Sequence, residues 1–139
     1  MDWRTMEAGR ELDRLIAERL GVHPVEDPCA PDGFDKWVLK DGKGHYACRA
    51  FERYATPEQA WRGMLYYSED IYEAVNAPLP EGAVLELLIA SDGSAMARVC
   101  LPISYRQSKA APEWEHAATP ELAIWRAWLA FGDREDADR

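Results

Sequence analysis

Two apolar runs separated by a turn constrain the fold of this chain more than any other feature. Residues 84–90 form the longest nearly unbroken apolar run, and Asp92 and Gly93 lie between it and a second β-compatible run at residues 95–101. An Asp-Gly pair between two such runs predicts a β-hairpin, because glycine adopts the positive φ that tight turns need. Apolar side chains alternate to both sides of the first run, with Glu86 as its only charge. We therefore expect an interior strand there, covered on both faces of its sheet.

A first helix is predicted near the N-terminus from the spacing of its apolar residues. They recur every three or four positions up to Leu20, after Thr5 as the expected N-cap, and Gly21 suits the C′ position that ends a helix. Gly9 weakens the first turns, so the helix is expected to fray before it. The opposite face is charged, includes Asp13, and is expected to be solvated.

A second helix is predicted from a capping box. Thr56 is the expected N-cap, Pro57 takes the first helical position, and Gln59 completes the box. The helix could break near Gly63 or Ser68, and Ser68 is also a second helix-start signal. The pattern therefore fits either one bent helix or two short helices.

The last helix begins after Thr119 with the same cap chemistry and is expected to end at Gly132. It is apolar on nearly all sides, which is typical of a helix packed on a sheet and covered by another element, or of an interface. Residues 1–132 are expected to form a single domain, and residues 133–139 an acidic, disordered tail.

The remaining segments complete an α+β architecture. Residues 36–39 and 45–51 flank an Asp-Gly turn and predict a second hairpin, whereas residues 23–34 are rich in proline and predict a loop. Residues 103–106 and 113–116 are weaker strand candidates. The order α-ββ-α-ββ-α predicts one antiparallel sheet of four to five strands with three main helices, in a three-layer-like α/β sandwich.

Charge and composition narrow the possible partners. Twenty-five acidic and sixteen basic residues give a net charge of −9, which disfavours direct DNA binding and favours basic partners, or serves solubility alone. No apolar run approaches the roughly 18 residues of a membrane span. The first residues lack a secretory signal pattern, so a cytoplasmic protein is expected. Three widely spaced cysteines and three histidines show no metal-ligand spacing, so neither a metal nor a cofactor is expected.

Few residues point to chemistry. The motifs of serine hydrolases, zinc proteases and nucleotide-binding loops are missing from the sequence, which favours a non-enzymatic protein. Arg126 is the only base in an otherwise apolar helix, and its guanidinium is either an anion clamp or a packed group paired within the chain. Arg98 could join a basic patch or be solvated, and Tyr67 fits either the core or a base-stacking platform.

Three segments together resemble the phage ABA sandwich proteins of bacteriophages and prophages. They are residues 6–21, 67–75 and 118–129, which resemble the family motifs GRELDxLIAEKVMG, YSTDIAAAW and TAPLAICRAAL, in that order. The chain departs from these motifs at Leu20, in place of the VMG ending, at Glu69 for Thr and at Trp125 for Cys. Relative to the family, residues 55–66 also look like an inserted segment. The resemblance implies a layered α/β/α fold, a phage origin, residence in the host cytoplasm and no enzymatic activity.

Two functional hypotheses follow from the resemblance, because small phage accessory proteins often antagonise bacterial defences. In the first, an anti-CRISPR-like inhibitor binds the basic, nucleic-acid-binding surface of a host defence protein through the most one-sided acidic block of the chain. Its expected contacts are Glu58, Glu69, Asp70, Glu73 and Glu81. In the second, the chain oligomerises through its apolar helix and sequesters a cyclic nucleotide immune signal, as Thoeris anti-defence sponges do, with Arg126, Arg98 and Tyr67 as contacts. An accessory domain with another partner is the remaining possibility.

Overall fold

The protein has a mixed α+β fold with antiparallel sheets, as predicted. A computed structural model describes residues 2–49, 52–101 and 112–137. The strands are β1 (His23–Glu26), β2 (Trp37–Lys40), β3 (Val84–Ile89), β4 (Ala95–Cys100) and β5 (Glu115–Ala117). The helices are α1 (Arg10–Arg19), α2 (Pro57–Ala60), α3 (Ile71–Val75) and α4 (Pro120–Ala137), with 3-10 turns at Trp3–Thr5, Trp61–Gly63 and Tyr67–Glu69.

The five strands of the described residues form two sheets, which corrects the predicted single sheet of four to five strands. The chain divides into two compact units. Residues 9–67 form the two-stranded unit, with sheet β1–β2, and residues 1–8 with 68–139 form the three-stranded unit, with sheet β3–β4–β5. The error arose because periodicity identifies strands without specifying their partners.

The predicted central hairpin is confirmed. β3 and β4 pair in antiparallel register from Val84 opposite Cys100 to Ile89 opposite Ala95. Gly93 adopts a φ of 90° in the connecting turn, which only glycine adopts at little cost. β5 then pairs with the other side of β4, close to the predicted short strand at residues 113–116.

The prediction that β3 is an interior strand is wrong. Among the described residues, β4 occupies the centre of the sheet and β3 is its edge. Val84, Leu88 and Ile89 are 42%, 51% and 58% exposed. β3 has apolar side chains on both faces because it is an unusually apolar edge strand. It is not a strand whose two faces are both covered by other layers.

α4 packs on β4 and provides most of the core of the three-stranded unit. Ala95, Ala97 and Val99 alternate along the buried face of β4, and their small side chains let the helix approach closely. The buried side chains of the helix are Leu122, Ala123, Ile124, Trp125, Ala127, Leu129, Ala130 and Phe131. α3 contacts another side of α4, as expected for a helix that is apolar nearly all round.

α4 does not end at Gly132, as predicted, but continues to Ala137. Two contacts hold the turns that follow this glycine. The indole N–H of Trp3 donates to the Asp133 carboxylate at 2.8 Å, and Arg134 donates to the carbonyl of Val99 at 2.9 Å. These tertiary contacts offset the roughly 1 kcal/mol that glycine costs inside a helix.

In the two-stranded unit, the strand partner of β2 is β1, and the predicted hairpin with residues 45–51 forms only in part among the described residues. β1 lies in the predicted loop and contains Pro24, which an edge strand tolerates because the missing N–H need not pair. The Asp41 turn does form, and its carboxylate accepts hydrogen bonds from the backbone N–H groups of Lys43 and His45. Beyond the turn, the chain returns along β2 with an isolated bridge between Lys40 and Tyr46 and a hydrogen bond from the N–H of Ala47 to the carbonyl of Leu39 at 2.9 Å.

α1 begins at Arg10, which corrects the predicted cap at Thr5. Thr5 instead belongs to a 3-10 turn capped by Asp2. The C-terminal end is as predicted, with Gly21 at a φ of 77°. Asp13 is fully buried rather than solvated, and Arg10 compensates its charge by donating to the carboxylate at 3.0 Å.

The capping box at Thr56 is confirmed, since its hydroxyl accepts from the N–H of Gln59 at 3.2 Å. Of the two predicted alternatives, the structure has short helices rather than one bent helix. α2 passes into a 3-10 turn that ends at Gly63, and α3 begins after Asp70.

Two predictions concern residues outside those described, namely the strand at residues 103–106 and the end of the tail at residues 138–139. The single domain at residues 1–132 stays a prediction.

Replacing Gly21 with alanine is expected to destabilise the protein more than replacing Gly33. Both glycines have positive φ, so each alanine incurs about 1 kcal/mol of backbone strain. A Cβ at Gly21 would also lie 3.2 Å from the backbone of Gly42, whereas a Cβ at Gly33 would have no neighbour within 4 Å. Urea unfolding should give losses of about 2 and about 1 kcal/mol, respectively. Equal losses would show that the close approach of Gly21 to Gly42 is unimportant.

Candidate functional site

Helix α3 is fixed at its start by a capping residue and along its inner face by burial. The carboxylate of Asp70 accepts from the backbone N–H groups of Tyr72 and Glu73, at 2.9 and 3.4 Å. Ala74 is fully buried where α3 packs on α4. Asn76 ends the helix and donates its side-chain amide to the carbonyl of Tyr72. α3 is therefore a short but well-anchored element.

The outward side chains of α3 combine negative charge with apolar area. Ile71, Tyr72 and Val75 are 45%, 68% and 53% exposed. We call the set Glu69, Asp70, Ile71, Tyr72, Glu73 and Val75 the α3 surface. Within the part of the chain that the structure describes, none of its three carboxylates forms an ion pair. Acidic groups around exposed apolar side chains can attract and then bind a protein surface of opposite charge.

Burial and a like charge raise the pKa of Glu73. Burial is the larger cause, and the carboxylate of Asp70 adds to it. Both causes disfavour the ionised form. A basic group placed beside Glu73 would favour the ionised carboxylate and so offset these effects, which suits this carboxyl to pairing with a cation.

The negative charge of the protein is concentrated in the three-stranded unit. Residues 1–8 and 68–139 contain fifteen acidic and seven basic residues, whereas residues 9–67 contain ten acidic and nine basic residues. The unit that carries the α3 surface therefore has nearly all of the excess charge.

The structure brings together three of the five acids predicted to bind a partner. Glu69, Asp70 and Glu73 lie on or directly before α3. Glu81 is exposed in the same unit, shortly before β3. Glu58 lies in the first turn of α2, in the two-stranded unit.

Arg126 contacts two segments of the three-stranded unit through its amino groups. One donates to the carbonyl of His116 in β5 at 2.8 Å, and the other to the carbonyl of Met6 at 3.0 Å. Its Nε is buried and makes no hydrogen bond with any described residue. These bonds tie β5 and the N-terminal segment to α4, which is a structural role.

Arg98 and Tyr67 also have structural contacts. The guanidinium of Arg98 donates to the Glu86 carboxylate at 3.2 and 3.3 Å and lies 4.1 Å from the centre of the Trp114 ring. Tyr67 is only 3% exposed. The nucleotide-binding alternative stays a prediction, and the contacts of its three residues give it no support.

Sequence reasoning missed a polar cluster in the two-stranded unit. Asp27 is buried and accepts hydrogen bonds from the Cys29 N–H, the Tyr46 hydroxyl and Arg53 Nε, at 3.0, 2.9 and 2.7 Å. The bond from Cys29, and then that from Arg53, lower the pKa of Asp27. The same cluster raises the pKa of Tyr46, chiefly through its bond to Asp27.

A shallow pocket of about 440 Å³ lies beside this cluster, lined in part by Phe34, Asp35 and Arg53. No local motif could have revealed it, because Tyr46 and Arg53 lie far from Asp27 in the sequence. The buried carboxylate and its three donors hold the loop after β1 against the rest of its unit.

Neither metal-ligand clusters nor membrane-spanning helices occur in the described parts of the chain. Residues 2–49, 52–101 and 112–137 contain no group of three or more His, Cys, Asp or Glu side chains that could hold a metal ion. No helix in the same residues is long and apolar enough to cross a bilayer. The three cysteines are unpaired, with Cys29 exposed, Cys48 half-buried and Cys100 buried.

Comparisons with models of known protein families, with curated proteins and with solved structures find no match to this chain. The site must therefore be interpreted from its own geometry.

Loss of the Asp27 charge is expected to reduce the acid sensitivity of the protein. Because folding lowers the pKa of Asp27 below its ordinary 3.8, the stabilising contribution is complete above that pH and is lost as the pH falls through the lower, folded value. The urea midpoint of the wild type should therefore fall further between about pH 5 and pH 2 than that of Asp27→Asn. Asp32→Asn, an exposed acid of the same loop, is the control and should behave as wild type. An Asp27→Asn protein with the wild-type pH dependence would rule out this coupling.

Proposed function

We propose that this chain is a small, phage-encoded, non-enzymatic binding protein that inhibits a bacterial anti-phage defence. Its α3 surface binds a basic, nucleic-acid-binding surface on a host defence protein, in the manner of an anti-CRISPR. The observation that carries the proposal is the α3 surface itself, in which carboxylates without ion-pair partners among the described residues surround exposed apolar side chains.

The two kinds of side chain have different roles in this proposal. Ile71, Tyr72 and Val75 contribute apolar area, which stabilises a complex by about 25 cal/mol for each Å² removed from water. Glu69, Asp70 and Glu73 contribute mainly a faster encounter with a positive surface and selectivity against acidic ones. A nucleic-acid-binding site fits this pattern because it is basic and often includes exposed aromatic groups.

The surrounding charge supports the same partner class. The three-stranded unit has eight more acidic than basic residues, so its field attracts cations beyond the immediate contact. Phage origin and the three-layer α/β/α sandwich belong to the proposal through the family resemblance described above.

Neutralising the three carboxylates of the α3 surface is expected to reduce partner capture strongly. The variant Glu69→Gln, Asp70→Asn, Glu73→Gln removes three charges, and asparagine at position 70 still caps α3. The tagged protein is used as bait in lysates of bacteria with CRISPR and nucleotide-signalling defences, and bound proteins are identified by mass spectrometry. One defence protein should be captured in stoichiometric amount by the wild type and reduced at least about tenfold with the variant.

A matched control separates local contacts from net charge. Glu7→Gln, Glu135→Gln, Asp136→Asn removes the same charge from exposed positions elsewhere in the three-stranded unit. This control should capture the defence protein as well as the wild type does. Equal capture by the α3 variant and the control would refute the assignment of the α3 surface.

A further inference from the structure

No strand of the described residues pairs with the outer edge of β3, and the strand itself lacks the protection that natural edge strands usually have. Its sequence, Val-Leu-Glu-Leu-Leu-Ile, contains neither proline nor lysine, and pairing with β4 is regular over all six residues. Val84, Leu88 and Ile89 remain exposed. Edges are normally shielded by bulges, prolines or charges, because their unpaired backbone groups accept further strands.

The hairpin turn identifies which backbone groups of β3 face outward. The N–H of Ala90 donates to the carbonyl of Ser94 at 2.8 Å, so these two residues form a hydrogen-bonded pair. Because such pairs alternate along an antiparallel ladder, Leu88, Glu86 and Val84 bond to β4. The N–H and C=O groups of Leu85, Leu87 and Ile89 therefore point away from β4, towards the open edge.

Charge at the two ends of β3 specifies the partner. Glu81 precedes the strand, and Asp92 follows it in the turn, where hydrogen bonds from Ser94 lower its pKa and keep it ionised. No lysine or arginine occurs between Arg62 and Arg98 in the sequence. A strand added along this edge would thus meet a carboxylate near each of its ends.

A groove of about 540 Å³ continues the edge at the hairpin end of the sheet. Its lining includes Leu88, Ile89, Met96 and His116, together with several alanines. Leu88, Met96 and His116 lie side by side in the register of the three strands. The groove can receive an apolar side chain from the end of an added strand.

The same charges oppose a second copy of this chain as the occupant. Antiparallel pairing of two β3 strands would bring Glu81 of one copy close to Asp92 of the other. Like charges at facing positions destabilise strand pairing. A basic partner has no such cost.

We propose that the β3 edge binds an extended segment of another protein as an added strand, with apolar side chains in alternation and a basic residue near each end. This mode of recognition combines backbone hydrogen bonds with side-chain pockets. It uses Leu85, Leu87 and Ile89 and does not depend on the α3 surface.

The probe is a fluorescent peptide of six alternating valine and threonine residues with lysine at both ends, and fluorescence anisotropy measures its affinity. Ile89→Pro removes one outward N–H without breaking the β3–β4 ladder, and it should weaken binding about tenfold or more. Ile89→Ala keeps that N–H and is the matched control, with a smaller loss. Glu81→Gln with Asp92→Asn, which preserves the acceptor for Ser94, should also weaken binding and remove its salt dependence.

Two further measurements keep the test decisive if Ile89→Pro does not fold. A peptide N-methylated on alternate residues, so that it cannot pair with β3, should not bind the wild-type protein. Amide exchange followed by NMR should show Leu87 and Ile89 unprotected in the free protein and protected with the unmodified peptide, in contrast to Leu88.

Several results would overturn the proposal. They are absence of peptide binding, equal binding of the N-methylated peptide, and equal binding of a peptide with glutamate at both ends. Sedimentation showing a dimer that Ile89→Pro dissociates would assign the edge to a second copy instead. Because the neutralised α3 variant should still bind the peptide, failure of this proposal is distinguishable from failure of the proposed function.

Discussion

The packing of α4 on β4 is the interaction on which the rest of the three-stranded unit depends. Alanines and a valine on β4 leave room for α4, in which Trp125 is almost fully buried. The cost of burying polar groups there is limited, because Arg126 donates to two backbone carbonyls and Trp3 to Asp133. The same helix thereby orders β5, the N-terminal segment and its own last turns.

This core also determines what the unit exposes. α3 is held to α4 through Ala74, so its acidic and apolar side chains face outward on a fixed support. β4 pairs with β3 on one side and with β5 on the other, so β3, with its apolar sequence, is an edge of the sheet in the part of the chain that the structure describes. Rigid presentation lowers the entropy lost on binding, and that favours recognition by both surfaces. The proposed inhibitor therefore has its binding surfaces on the unit with the excess negative charge.

Local chemistry made part of this structure predictable. The turn at Gly93, the cap at Thr56 and the helix end at Gly21 depend on neighbours in sequence, and each was predicted correctly. Features that depend on distant partners were not. β1 has a proline and pairs with β2 across a loop, and the two side-chain donors to Asp27 lie 19 and 26 residues away. The acids of the candidate site were predicted from the most acidic block of the sequence. Only the fold shows that some of them lie at α3, whereas Glu58 lies on α2.

Competition with nucleic acid tests the central claim most directly. The wild-type protein is immobilised with the defence protein that it captures, and the DNA or guide RNA of that defence system is then added. If the α3 surface occupies the basic nucleic-acid site, the nucleic acid should displace the defence protein in proportion to its concentration. Retention of a ternary complex at saturating nucleic acid would contradict the account, because the two ligands would then bind different surfaces.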